Sequence, residues 1–378
     1  MAIYKLFPSQ DTTLYTSYPT MNTGLDAILE VSNKIDLDGL PTVARYLVQF
    51  DNTEIIDVIS NKISGSLYDI YLKNFIAEAQ GINQNTTLEL RAAAQSWNNG
   101  TGYTLDSPIV TDGASWRFSS FSGSNPWLPS GSTTGGYYTS SFSSTYSTQG
   151  GGNWFTSSNY LVTESFGLRS TKDIELGVKT IVNAWSSSII PNNGFILKLS
   201  GSSEFNPSEY VQPTFKYYSV DTNTIYPPTL EFRWRDYSTV LTGSATASLI
   251  NTVDLKMSLA ENPGEFFPES VNRFYINVSP LYPTRTYQTA SLFTNLNYLP
   301  TSSYYAIKDL ATNEFVVNFD PLYTQISSDA NGNYFTVYMS GLEPERYYKI
   351  LIKTIINGST IIFDDNYYFK VINGWVKM

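Results

Sequence analysis

Neither cysteine nor histidine occurs anywhere in the 378-residue sequence. Without cysteine there is no disulfide framework, no thiolate metal site and no cysteine nucleophile. The redox compartment stays open, because reducing and oxidising surroundings both tolerate such a chain. Without histidine there is no Ser-His-Asp triad, no Cys-His pair and no histidine zinc site. Carboxylate-based hydrolysis and oxygen-ligated hard-cation sites survive that exclusion. Charge is also sparse, at 15% of residues, against about 25% in an ordinary soluble protein. The formal net charge is −10, from 33 acids and 23 basic residues, with no run of lysine or arginine. Phosphate-backbone binding needs a basic stripe, so nucleic acid is not an expected partner. No apolar run approaches the ~18 residues of a membrane-crossing helix. The opening MAIYKLFPSQDTTLY has no basic segment before an apolar stretch, and VINGWVKM carries no anchor signal. The expectation is a chain made in the cytoplasm without a signal peptide and without a membrane partner.

What the sequence has in quantity is tyrosine, 29 residues, alongside serine, threonine and asparagine. Aromatic, β-branched and small hydroxylated side chains suit pleated, half-buried surfaces. They also suit large protein interfaces, where tyrosine supplies area at low entropy cost. The length fits two or three domains and a core that needs no covalent staples.

Period-two patterns dominate. In ARYLVQFD, Tyr46, Val48 and Phe50 fall on one face and Arg45, Leu47 and Gln49 on the other. Ala2–Phe7, Ala27–Val31, Ser66–Gln80, Thr86–Ser96, Phe195–Ser200, Phe215–Val220 and Leu230–Arg235 read as further strands, although ELRAAAQ has helical propensity too. Thr53–Lys62 is the best helix, with Ile55, Ile56 and Ile59 as its stripe and Thr53 or Asn52 as its cap. Thr171–Trp185 begins as a strand and ends in a helical turn before the Asn192-Asn193-Gly194 turn. After Asp236 the chain changes character. Asn272–Val278, Tyr304–Lys308, Glu314–Phe319, Tyr334–Met339, Tyr347–Ile356, Thr360–Phe363 and Tyr367–Ile372 are short strands, with Asn357-Gly358 as a hairpin turn.

From Phe118 to Gly152 the composition turns to Ser, Gly, Thr and Tyr. Phe121, Trp127, Tyr137, Tyr138, Phe142 and Tyr146 are interleaved in it, and aromatics in such a loop want a surface to lie on. The expectation is an insertion that docks on a partner subunit.

The chemistry-bearing patterns each have a plain alternative. Asp36-Leu37-Asp38-Gly39 looks like a calcium loop but lacks the later acidic positions, and a polar turn explains it as well. Asp173 and Glu175 share a strand face, as a glycosidase pair or as a solvated face. Asp364-Asp365 reads as a turn after a hairpin strand. Trp97, Trp127 and Trp154 sit in polar, turn-rich contexts that suit sugar stacking, with loop anchoring as the alternative for Trp97, whereas Trp185 and Trp234 read as core. GSTTGG lacks the lysine of a phosphate cradle. No catalytic, cofactor-binding or metal-ligating residue is assigned, and no cofactor is expected.

Several ordered blocks carry a resemblance. They are Asp11–Tyr15, Asn22-Thr23-Gly24-Leu25 with Leu29-Glu30-Val31, Arg45–Asp51 (RYLVQFD), Ser96–Gly100 (SWNNG), Ile174–Trp185, Asn193–Leu199 (NGFILKL) and Pro228–Trp234 (PTLEFRW). Together they resemble the jelly-roll modules of the disaggregatase-related (DNRLRE-type) family, which look like carbohydrate-binding modules. Leu342, Pro344 and Tyr348 resemble the corner before a late strand of immunoglobulin-like and fibronectin type III-like modules. The combination resembles virion structural proteins of tailed phages. The resemblance implies an all-β protein: a jelly-roll β-sandwich over 1–236 with an insertion at 118–153, then an Ig/FnIII-like β-sandwich over 237–378. It implies a non-enzymatic neck, tail, fibre-base or capsid-decoration component of a virion. Other virion proteins and copies of itself are the expected partners, and a glycan-binding adhesin is the alternative.

Overall fold

The structure, a computed structural model, describes residues 2–35, 37, 41–82, 85–104, 106–120, 125–135, 150–204, 212–239, 248–260, 262–282 and 296–373. Strands dominate it and helices are few and short, so the chain is all-β. It divides into two compact units: Leu6–Ser60 with Ile70–Glu231, and Met1–Lys5 with Asn61–Asp69 and Phe232–Met378.

The first unit is built on an antiparallel sheet. Its strand order is Leu161–Phe166, Thr86–Ala92, Phe195–Leu199, Pro41–Gln49, Ile28–Ile35, Thr214–Tyr218 and Ile76–Gln80, and Gln10–Tyr15 also pairs with Pro41–Gln49. The alternation of Pro41–Gln49 is read from both sides. Tyr46 and Val48 are fully buried on one face, and Arg45 and Leu47 are fully buried on the other, so this central strand is covered on both faces. On the Tyr46 side, Trp185 from the helix Lys179–Ser186 packs on Phe195 with ring centroids 4.6 Å apart. Asn74 Nδ2 donates to the Tyr46 hydroxyl at 2.8 Å. The run Thr86–Ala92 is a strand despite its helical propensity, because its alternating residues Leu88 and Leu90 are taken into this core. The run Ser66–Gln80 divides in two at Phe75, whose carbonyl accepts from Tyr218 N at 3.1 Å.

The helix after Phe50 spans Asn52–Asp57 and continues as a π-helical turn, Val58–Lys62. Its cap is Asp51, one residue before the sequence expectation: Asp51 accepts from Thr53 N at 2.6 Å and Glu54 N at 3.4 Å. These two bonds hold its carboxyl below the usual carboxylate range. Asp51→Ala is expected to cost about 1 kcal/mol of stability, the ordinary price of a lost N-cap, measured by urea denaturation.

The second unit has two sheets that share one core. The four-stranded sheet runs Leu255–Leu259, Val271–Pro280, Gly332–Tyr338, Ser327–Asp329. The five-stranded sheet runs Glu265–Phe266, Ser359–Val371, Tyr347–Ile356, Ser303–Asp309, Phe315–Val317. Phe274, Ile276, Phe335 and Val337 meet Tyr305, Ile307, Tyr348, Ile350 and Phe369 in one buried cluster, with Tyr305 stacked on Phe335 at 4.3 Å. The Tyr348 hydroxyl donates to the Glu343 carbonyl at 3.1 Å. Asn357 and Gly358 have φ of 51° and 79°, the two positive values that a two-residue hairpin turn demands. Asp364 and Asp365 are not in a turn. They lie inside the long strand Ser359–Val371, and Asp364 pairs with Lys349. A register shift between Ile350 and Ile352 lets that strand run on past the expected break.

The main break in the chain, between Glu231 and Phe232, lies just before the sequence division at 236/237. Two early pieces, however, join the later unit. Ser340 Oγ donates to the Lys5 carbonyl at 3.1 Å, Tyr4 meets Tyr338 edge-on at 6.0 Å, and the Tyr323 hydroxyl donates to Asp69.

Candidate functional site

The outer face of the first unit's sheet carries a second core. Val43, Leu47 and Ile196 on the strands meet Trp97, Trp116 and Trp127 from the covering loops, with Trp154 half-buried beside them. Trp97 Nε1 donates to Asn193 O at 2.9 Å, and Trp127 Nε1 to Ser115 O at 2.9 Å. These residues are 4% and 1% exposed. Trp97 and Trp127 are therefore loop anchors and not sugar platforms. Trp185 and Trp234 are core, as their sequence contexts indicate.

Arg45 is the centre of this face. Its Nε and Nη2 donate to Glu204 at 2.6 and 3.1 Å, and its Nη1 donates to Gly151 O at 2.6 Å. Its guanidinium lies 4.9 Å from the Trp116 ring and 5.2 Å from the Trp154 ring. Both charged side chains are essentially inaccessible, at 0% and 1%. Lys198 extends the network to Glu204 at 3.4 Å and Glu89 at 2.9 Å. Burial pushes the Glu89 carboxyl up, but Lys198 and Arg91 outweigh it and hold it below the usual range. Gly151 is required here: at φ +77°, a Cβ would stand 2.7 Å from Arg45 Nη1 and from the Trp116 ring. The described parts of the segment 118–153, with Trp127 in the second core and Gly151 on Arg45, are thus built into their own unit. Phe121, Tyr137, Tyr138, Phe142 and Tyr146 lie outside the described residues.

Asn22 has a comparable structural role. Its amide donates to Asn99 O at 2.6 Å and Ala114 O at 2.8 Å, and its oxygen accepts from Gly24 N and Gly102 N at 3.1 and 2.9 Å. All its bonding positions are filled.

The acids are dispersed or committed. Asp173 precedes its strand and accepts from Ile76 N at 2.8 Å, and Glu175 lies 4.0 Å from Lys73. The carboxyl brought near Glu175 is Glu164, which strand spacing could not foresee. Burial, then the Glu175 charge, pushes Glu164 above its usual range. Asp36, Asp38 and Gly39 lie outside the described residues. Among the described residues no three acids converge as a metal site, and no helix is long and apolar enough to cross a membrane.

A cleft of about 190 Å³ opens beside Ile28–Ile35, lined by Tyr15, Tyr18, Glu30, Ser32, Lys34 and Thr42 among others. Glu30 Oε1 already accepts from Ser32 Oγ at 2.6 Å and Lys34 Nζ at 2.5 Å. Burial, then the charges of Glu30 and Asp26, raises the Tyr15 phenol far above its ordinary value, so it stays a hydrogen-bond donor.

No protein-family model and no curated protein matches the chain. Among solved structures, a DUF4785 family protein of Legionella pneumophila aligns at 8% identity, covering 98% of this chain and 62% of that one, with a TM-score of 0.18. The chain thus spans less than two thirds of that protein's length.

Proposed function

We propose that this protein is a non-enzymatic structural component of a tailed-phage virion that works through protein–protein contacts. On this reading the first unit is a jelly-roll module of the disaggregatase-related type and the second an Ig/FnIII-like module. One observation carries it. The side chains most able to act on a ligand, Trp97, Trp127, Arg45 and Glu204, are spent on holding the first unit together. What is left to act is surface. The ordered blocks from Asp11 to Trp234 support the first assignment. The Tyr348–Glu343 bond supports the second, because immunoglobulin-type sandwiches carry such a corner tyrosine bonded to backbone just upstream. The test is mass spectrometry of purified virions from the source of the gene. The chain is expected at stoichiometric copy number, and particles that lack it overturn the reading.

The cleft at Glu30 favours a second reading, glycan binding. Hydroxyl groups, a carboxylate and tyrosine rings around a space below the ~300–1,000 Å³ of drug-sized pockets suit a single neutral sugar ring. Ser17 also lines the cleft, and saturation-transfer NMR with simple methyl glycosides is expected to show contact that Glu30→Gln and the occluding Ser17→Trp both abolish. No contact, or contact indifferent to both changes, removes this reading.

A further inference from the structure

The outer face of the second unit's five-stranded sheet is a lattice of lysines and aromatic rings. Its side chains follow from the register. Tyr347 and Lys349 alternate outward along Tyr347–Ile356, with Lys353 and Ile355 beyond the bulge. Lys370, Tyr368 and Ile362 stand opposite Tyr347, Lys349 and Lys353, and on the other side Lys308 and Tyr304 stand opposite Lys349 and Lys353. The lysines lie over rings. Lys308 is 4.5 Å from Phe315, and Lys353 is 4.7 Å from Phe319 and 5.1 Å from Tyr304. The apolar members are open to solvent: Ile362 is 55% exposed and Tyr347 54%.

One feature of this face is costly in isolation. Lys308 and Lys349 are directly opposite across paired strands, and like charges so placed are destabilising. Lys349 has Asp364 and Lys370 has Glu345. Lys308 bonds only the neutral Asn313, and Lys353 has no acidic partner among the described residues. A basic, partly apolar sheet face therefore sits on a chain whose net charge is −10, which leaves the remainder more acidic than the whole.

Acids without a cation gather at one loop end of the first unit. Asp26 receives Thr104 N, Asp106 receives Tyr103 N, and Asp112 receives Thr101 N and its hydroxyl. Asp221 is exposed, and its neighbour Ser219 bonds the Asp26 carbonyl. None of these four forms an ion pair among the described residues, and the loops that carry them are hydrogen-bonded to one another through Asn22, Gly24 and Gly102.

We infer that the lysine–aromatic sheet face docks the acidic loop end of a second copy of this chain. The contact pairs two different surfaces, and joined head to tail it builds rings or open filaments. Apolar area from Ile362, Tyr347 and Tyr368 supplies the dry centre, and the lysines set register and encounter rate. The inference rests on the reading of this chain as an assembly protein, and it names the partner.

Sedimentation velocity of the full-length chain tests it at low and at high salt. At low salt, species larger than a dimer are expected to grow with concentration. High salt is expected to disperse them, because exposed charges are screened beyond the ~10 Å Debye length at 0.1 M. Lys308→Glu with Lys353→Glu is expected to weaken association by about tenfold or more without changing the circular dichroism spectrum. Adding Asp106→Lys and Asp221→Lys to that chain is expected to restore it. A chain that stays monomeric at low salt overturns the inference. So does a closed dimer indifferent to these changes, or binding to added polyglutamate while the copies stay apart. Self-association in a chain missing from virions sinks the virion reading alone, and a strict monomer found in virions sinks this one alone.

Discussion

Replacing Arg45 by methionine is expected to destabilise the first unit by about 3–5 kcal/mol, the usual penalty for stranding one half of a buried ion pair. Glu204 is 1% exposed and, among the described residues, would keep only Lys198 as a cationic partner, at 3.4 Å. The Gly151 carbonyl would lose its donor, and the Trp116 and Trp154 rings would lose the cation between them. Adding Glu204→Leu is expected to recover most of the loss. Lys198 then retains Glu89 at 2.9 Å, and a buried pair exchanged for apolar groups is often neutral. Five of the seven tryptophans belong to this unit, so denaturation followed by tryptophan fluorescence reads it directly. A single variant within about 1 kcal/mol of the parent would show that the pair is not buried as described.

Asp11 should make the same unit less stable as pH rises. Its side chain points into the core beside Tyr46 and is 1% exposed, with Val220 N donating to it at 2.7 Å. Burial pushes its carboxyl up to about 8, against an ordinary 3.8; the Val220 bond opposes this, and Asp221 adds to it. Below the ordinary value both the folded and unfolded states hold the proton, and nothing is lost. Between about pH 4 and pH 8 the native state holds a proton that the unfolded state has released, so stability falls by about 1.4 kcal/mol per pH unit. Above about 8 both states are ionised and the loss levels off. Asp11→Asn keeps an acceptor for Val220 N and removes the titration. Its urea midpoint is expected to exceed the parent's at about pH 8 and to lie near it at about pH 4. A parent midpoint that is flat or rising over that window would refute the account.

Much of the strand content was written in local alternation. Tyr46, Val48 and Phe50 announce their face, and Asn357-Gly358 announces its turn, because each depends on residues a few positions apart. The second core was not legible. A tryptophan among Ser, Gly and Pro reads as exposed, and what buries Trp127 is Ser115 and the sheet face under it. Arg45 does carry a local signal, an arginine inside a mostly apolar strand. Its partner Glu204 lies 159 positions away, and no local pattern reaches that far. The lysine–aromatic face was equally hidden. Lys308, Lys349 and Lys370 come from different strands and become neighbours only once the register is set.

The membership of the second unit also fixes an order of events during synthesis. Met1–Lys5 and Asn61–Asp69 leave the ribosome early, yet they belong with Phe232–Met378. At about 5–20 residues per second, the earliest strand waits on the order of ten seconds or more for its companions. The first unit can close in that interval and the second cannot. A gene cut after Glu231 would therefore yield a downstream fragment short of two of its own pieces, one that co-expression with the upstream fragment, and not refolding alone, is expected to rescue.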